Sequence, residues 1–173
     1  MRRVRYFAAS SLDGYIARGD GSIGWLFHDA DYGYAAFYSA IDTVLMGRTT
    51  YELALVLGPY PFSGKKAFVF SRSRAGTRDE HAEFVAPDVR AFVAGLRAQP
   101  GRDIWLVGGS QLAHAFLAAD LIDEYIVSIH PVLLGAGIPL FPANAREAVL
   151  RFEGARTFPS GLVQLRYERT GRG

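Results

Sequence analysis

The chain has 173 residues, half of them hydrophobic, with 19 basic and 17 acidic residues for a net charge of +2. That is enough apolar material for one buried core, and it excludes a disordered tail, a collagen-like repeat and a low-complexity scaffold. No cysteine is present, which excludes a disulfide framework, a thiolate nucleophile and a Cys-ligated zinc site.

No apolar run approaches the length of a membrane span. The basic start, MRRVRYFAASSLDG, reaches Asp13 before any signal-like segment develops, so a cytoplasmic protein is expected. The small charge excess gives no broad positive field, and no basic stripe with interleaved aromatics occurs. Neither nucleic acid nor membrane is therefore expected as a partner. Residues 1–173 are expected to form a single domain.

The predicted elements follow in order. Val4 to Ala9 reads as a strand, and Ser10 to Trp25 as a Gly- and Asp-rich loop with a short extended piece at Tyr15 to Ala17. Tyr34, Phe37, Tyr38 and Ile41 share one helical face. Thr43 to Met46 is a strand, and Arg48 to Leu57 a helix closed by Gly58-Pro59. Ala67 to Phe70 and Glu83 to Ala86 are strands. Asp88 caps a helix that buries Val89, Phe92, Val93 and Leu96 and stops at Pro100-Gly101. Ile104 to Val107 is an apolar strand, Ser110 to Ala119 a helix, and Tyr125 to Ile129 a strand. Leu150 to Phe158 and Leu162 to Arg169, joined by Pro159-Ser160-Gly161, read as an antiparallel hairpin.

Alternating buried strands and helices predict an α/β protein: a parallel sheet covered on both faces, made mixed by the terminal hairpin. Such sheets bind ligands beyond the carboxyl ends of their strands. Three strand ends carry matching chemistry. Gly47, Arg48, Thr49 and Thr50 pass from strand to helix, where free N–H groups and a guanidinium favour an anion. Gly108, Gly109, Ser110, Gln111 and Leu112 do the same, and paired glycines admit a phosphate close to the backbone. Ser71, Arg72 and Ser73 offer hydroxyls and a guanidinium for a phosphomonoester. Each has a plain alternative: a glycine turn with a threonine cap, a tight strand-to-helix turn, a solvated loop. Taken together they fit an extended ligand with separated phosphates, a dinucleotide.

Other motifs fail. There is no G-x-G-x-x-G, no G-x-S-x-G, and GPYPFSGKK (58–66) lacks P-loop spacing. His28, His81, His114 and His130 show no metal-ligand spacing, so no metal is expected. Two carboxylates remain as catalytic candidates. Asp13 precedes Gly14 in what is also a plain turn dipeptide. Asp31 opens the first helix, where a helix cap is the ordinary role, and Asp29 competes with it.

The ordered series AASSLDGYIA (8–17), MGRTTYE (46–52), SRS (71–73), VGGSQL (107–112) and HPVLLGAGIPLF (130–141) resembles the dihydrofolate-reductase-like superfamily. It looks closest to the branch that includes the reductase domain of the bifunctional riboflavin-biosynthesis deaminase/reductase. The resemblance covers nearly the whole chain. It implies a three-layer α/β/α fold around a mixed sheet, NADPH as cofactor, and a homodimer. By the same analogy, Gly47 to Thr50 would bind cofactor phosphates and Ser71 and Arg72 the 2′-phosphate. Gly108 to Gln111 would wrap the pyrophosphate, and Ala8 and Ile16 would line the nicotinamide. Asp31 stands where folate reductases carry a substrate-binding acid. The implied activity is hydride transfer to a C=N or C=O of a small heterocycle, resembling 5-amino-6-(5-phosphoribosylamino)uracil reductase or dihydrofolate reductase. The alternative is a non-catalytic NADP(H)-binding or sensing protein on the same fold.

Overall fold

The most apolar runs become the inner strands of one sheet. In this computed structural model, which describes residues 1–143, 145 and 147–170, β1 is Val4–Ser11, β3 Ile41–Gly47, β4 Lys66–Phe70, β5 Glu83–Val85 and β6 Asp103–Gly108. β7 is Glu124–His130, β9 Leu150–Thr157 and β10 Val163–Arg169, while β2 (Tyr15–Ala17) and β8 (Ile138–Pro139) form a separate small sheet. The large sheet runs β5-β4-β3-β6-β1-β7-β10-β9. Its first six strands are parallel, and β10 turns antiparallel against both β7 and β9. This is the mixed, mostly parallel sheet with a terminal antiparallel hairpin that the sequence predicts.

Among the described residues, four helices cover the sheet: α1 (Tyr34–Ala40), α2 (Arg48–Val56), α3 (Val89–Arg97) and α4 (Ser110–Ala118). The core splits into two layers. On one face Val93 and Leu96 of α3 and Phe116 of α4 pack over Val4, Tyr6, Leu45, Ile104 and Leu106. On the other, Phe37 of α1 and Tyr51 of α2 pack over Val44, Met46, Val69 and Trp105. Burial on both faces is why β3 and β6 read as unbroken apolar runs rather than alternating ones. No helix among the described residues is long and apolar enough to cross a membrane.

Three local differences from the sequence reading have physical causes. Ile41, counted on the helical face of α1, instead begins β3, where it pairs with Asp103 and is fully buried; a β-branched side chain fits the pleated strand better. β1 continues through Ser10 and Ser11 because these residues pair with Ile129 and His130 of β7; ladder bonds override the weak strand preference of serine. β8 is two residues including a proline and carries no periodic signal of its own.

Candidate active site

Adjacent β3 and β6 both run out at glycines, and each hands the chain to a helix at once. Gly47 is the N-cap of α2 and Gly109 the N-cap of α4, and neither helix receives a side-chain cap bond. By contrast α3 is closed by Asp88, whose carboxylate accepts the amide of Ala91 at 3.1 Å. Two helix starts with free N–H groups therefore stand at the carboxyl edge of the sheet.

They stand against each other. A side-chain carbon built on Gly47 would lie 3.8 Å from the Gly109 nitrogen and 3.9 Å from the Gly108 oxygen, and one on Gly109 would lie 3.2 Å from Thr50 Oγ1. Gly108 has φ +115°, a conformation that side chains resist, and its peptide to Gly109 is cis. The third turn joins the first: Arg48 Nη1 donates to Ser73 Oγ at 3.4 Å, next to β4, whose Phe70 is in register with Gly47. The structure thus brings together the three strand ends that the sequence singled out.

Their side chains divide by exposure. Arg48, Thr49, Arg72, Ser73 and Gln111 are exposed, while Thr50 is half-buried. Arg48 also pairs with Glu52 at 2.8 Å across one turn. Arg72 has no ion pair among the described residues. Ser71 is buried, and its hydroxyl accepts the Arg74 amide at 3.3 Å. Arg74 is used internally, over the ring of Phe84 and beside Asp79. Ser110 ties the start of α4 to β8 through a 2.9 Å bond to the Pro139 oxygen. The Leu112 side chain belongs to the core. Ala8 and Ile16 pack half-buried against the same core. Free amides, guanidinium groups and glycine backbone in one cradle suit a phosphate-rich ligand.

The two candidate acids differ. Asp13 is a loop tie: its carboxylate accepts the Ser11 hydroxyl at 2.6 Å, the Leu134 amide at 3.1 Å and the Gly135 amide at 2.7 Å. The Ser11 hydroxyl first, then those amides, hold its pKa below the usual carboxylate value. Asp31 is exposed, and one of its oxygens accepts the Ala35 amide at 3.0 Å at the start of α1. The other oxygen makes no hydrogen bond to a described residue. Neighbouring Asp29 accepts the Tyr32 hydroxyl at 2.5 Å, and that hydroxyl also meets Ser160 at 2.9 Å. Asp29, Ser160, Phe27 and His28 line a pocket of about 340 Å³.

Sequence reasoning passed over the floor beside that pocket. His130, at the end of β7, is buried with Trp25 and Phe27 edge-on at 5.2 and 5.0 Å. Burial pushes its imidazole pKa down, although Ser128 and Ser10 carbonyls work the other way. Gln164 bridges the Ser128 hydroxyl and the Tyr32 carbonyl, both at 3.0 Å. Two large aromatics inside an otherwise Gly- and Asp-rich loop were the available signal. No group of three or more His, Cys, Asp or Glu residues that could hold a metal ion occurs among the described residues.

Comparison with known proteins agrees with this architecture. The RibD C-terminal domain family matches residues 2–164. The uncharacterized Bacillus subtilis (strain 168) protein YwjB is 44% identical over 172 residues, covering 97% of this chain and 98% of that protein. A second protein of that strain, the uncharacterized YyaP, is 36% identical over 185 residues, covering 98% and 96%. A solved protein from Shewanella sp. PV-4, named for riboflavin biosynthesis, superposes with TM-score 0.87 at 28% identity, over 99% of this chain and 100% of its own. The deaminase/reductase of Thermotoga maritima shares the fold at TM-score 0.75 and 17% identity, over 98% of this chain and 57% of that one. With its mixed eight-stranded sheet and glycine turns at one edge, the chain belongs to the RibD C-terminal domain family, whose reductase-like members have the dihydrofolate-reductase-like fold.

Proposed function

We propose that this protein is an NADPH-dependent reductase acting on a C=N or C=O of a small heterocyclic substrate, as 5-amino-6-(5-phosphoribosylamino)uracil reductases and dihydrofolate reductases do. The observation that carries this reading is the pair of uncapped helix starts, Gly47 and Gly109, packed against each other beside Arg48. A long dianionic linker fits amides presented from two directions better than a single phosphate does. The Thermotoga maritima protein, a reductase by name, shares the fold.

The residues then take these roles. The amides of Arg48 to Thr50 and of Ser110 to Leu112, with Gly47, Gly108 and Gly109, hold the phosphates. Arg72, with Ser71 and Ser73, receives the 2′-phosphate. Ala8 and Ile16 offer small apolar surface beside β1 for the nicotinamide. When bound, the dihydronicotinamide supplies the hydride. The substrate's nitrogen or oxygen takes a proton, and Asp31 is the acid to which we assign that end of the substrate, because one of its oxygens is free. Asp13 keeps the loop in place instead. Orientation and exclusion of water are the protein's main contribution.

The test is a fluorescence titration with NADPH and NADH, followed by assays of reduced-nicotinamide absorbance with pterins, pyrimidine ribitylamines and simple carbonyls. NADPH should bind at least tenfold more tightly than NADH, since a phosphate–guanidinium pair contributes about 1.5–3 kcal/mol. Arg72→Ala should erase most of that difference and leave NADH binding unchanged. Equal binding of the two cofactors by the unaltered protein would sink the cofactor assignment. Tight NADPH binding without oxidation across these substrates would favour the non-catalytic sensor.

A further inference from the structure

The three residues assigned to the 2′-phosphate, Ser71, Arg72 and Ser73, open the loop that joins β4 to β5, residues 71–82. A long loop left to itself has to be ordered by the ligand it binds, which weakens that binding. This loop is already folded on itself. The Gly76 amide donates to the Phe84 oxygen at 2.8 Å, and the Phe84 amide to the Thr77 oxygen at 2.9 Å. The Arg74 oxygen accepts the Thr77 amide at 3.0 Å and the Thr77 hydroxyl at 2.7 Å.

One carboxylate gathers the far end of the loop. Asp79 Oδ1 accepts the amides of His81 at 3.1 Å and Ala82 at 3.0 Å, and also the Tyr51 hydroxyl at 2.7 Å. Its Oδ2 accepts Arg74 Nη2 at 3.4 Å. Burial works to raise the Asp79 pKa, but the Tyr51 hydroxyl, the Ala82 and His81 amides and Arg74 outweigh it, so the carboxylate stays ionised at neutral pH. Tyr51 is buried in α2, the helix whose first turn is assigned to the cofactor phosphates. α2 therefore grips the loop twice, through Arg48 on Ser73 at 3.4 Å and through Tyr51 on Asp79.

A stack of side chains carries the second grip back to the phosphate residues. The Phe84 ring stands edge-on to Tyr51 at 5.6 Å, and the Arg74 guanidinium lies 3.6 Å from the centre of the Phe84 ring. The Arg74 amide in turn donates to Ser71 Oγ at 3.3 Å, and the Ser71 and Ser73 hydroxyls are 3.5 Å apart.

We propose that Asp79, held by Tyr51, is a positioning residue that sets the preference for a 2′-phosphorylated cofactor, by fixing the loop so that Ser71, Arg72 and Ser73 stand ready for that phosphate. The inference rests on the NADPH reading above. A pre-ordered loop adds affinity only for the ligand that the loop touches, so NADPH gains from it and NADH does not.

Parallel fluorescence titrations of the full chain with NADPH and NADH, each with a thermal melt, test this. Asp79→Ala should weaken NADPH binding by about tenfold and NADH binding by less than about twofold. Tyr51→Phe keeps the ring and removes only the hydroxyl, so it should give the same split at smaller size, about threefold for NADPH. Asp79→Asn keeps an acceptor for Tyr51 and both amides and should recover most of the NADPH affinity. A purely structural role would instead lower the melting temperature and weaken both cofactors alike. A folded Asp79→Ala protein that loses both cofactors equally, or neither, overturns the proposal, as does an Asn variant as impaired as the Ala one. If Asp79→Ala does not fold, Tyr51→Phe decides by the same criterion. Equal binding of NADPH and NADH by the unaltered protein is a different result: it removes the cofactor reading itself, and this proposal with it.

Discussion

The Gly135 amide donates to Asp13 Oδ2 at 2.7 Å, tying the loop after β1 to the loop after β7. The Leu134 amide and the Ser11 hydroxyl converge on the same carboxylate. These bonds favour the ionised form, so the folded pKa lies below the ordinary 3.8. The sign follows from linkage: the stabilisation is complete well above that value and is lost as pH falls through the folded pKa. Asp13→Asn should lower the melting temperature at neutral pH. The gap between variant and wild type should shrink as pH falls from about 4 towards 3, because protonated aspartic acid loses the same advantage. Melts at several pH values check this; a gap that stays constant would show the charge to be irrelevant.

Glu124 presents a different electrostatic case. It is fully buried and ion-paired with both Arg5 and Arg166, while Arg5 also lies 4.9 Å from the ring of Phe37. Removing the carboxylate leaves Arg5, itself mostly buried, without its main partner. Glu124→Ala should cost about 3 kcal/mol, the low end for a broken buried pair, since Arg166 is half exposed and can turn to water. Urea denaturation measures it. A loss under about 1 kcal/mol would place the cluster with surface ion pairs.

Gly137 separates packing from chemistry. A side-chain carbon there would fall 2.2 Å from the Ala17 oxygen, where β2 and β8 pair. Gly137→Ala must push these strands apart, and it should destabilise the protein by about 2 kcal/mol or more. Ser110, which bonds to Pro139, would shift with them. The expected readout is a lower denaturation midpoint together with weaker NADPH binding.

Gly109→Ala should behave in the opposite way. The added carbon would meet only the Thr50 hydroxyl, at 3.2 Å, and φ is −68°, open to any residue. The hydroxyl can give by a few tenths of an ångström, so the stability cost should stay below about 1 kcal/mol. The methyl group nevertheless intrudes between the two helix starts, and NADPH affinity should fall by about tenfold or more. Paired melts and titrations decide this; unchanged affinity would remove the glycine junction from the cofactor site.

Much of this molecule was legible before folding was considered. Helical spacing placed Phe37 and Tyr38 on one element. The Asp88 cap and the Pro100-Gly101 stop bounded α3, and apolar runs marked β3 and β6. These are local properties, because side-chain periodicity and capping act over a few residues. The glycine turns could likewise be recognised, one by one, as strand ends that hand the chain to a helix.

The tertiary structure alone decided how the turns meet and what the acids do. Nothing local says that Gly47 abuts Gly109, because that contact arises from β3 and β6 lying next to each other in a parallel sheet. Asp13 reads as half of a turn dipeptide until the loop at Leu134 and Gly135 arrives to consume its oxygens. The packing of His130 with Trp25, and the bridge made by Gln164, could not be read for the same reason: their partners come from β7, β10 and a long loop. Short-range propensity determined the elements. Which side chains share a pocket was set by strand order, and strand order follows from burying two apolar layers at once.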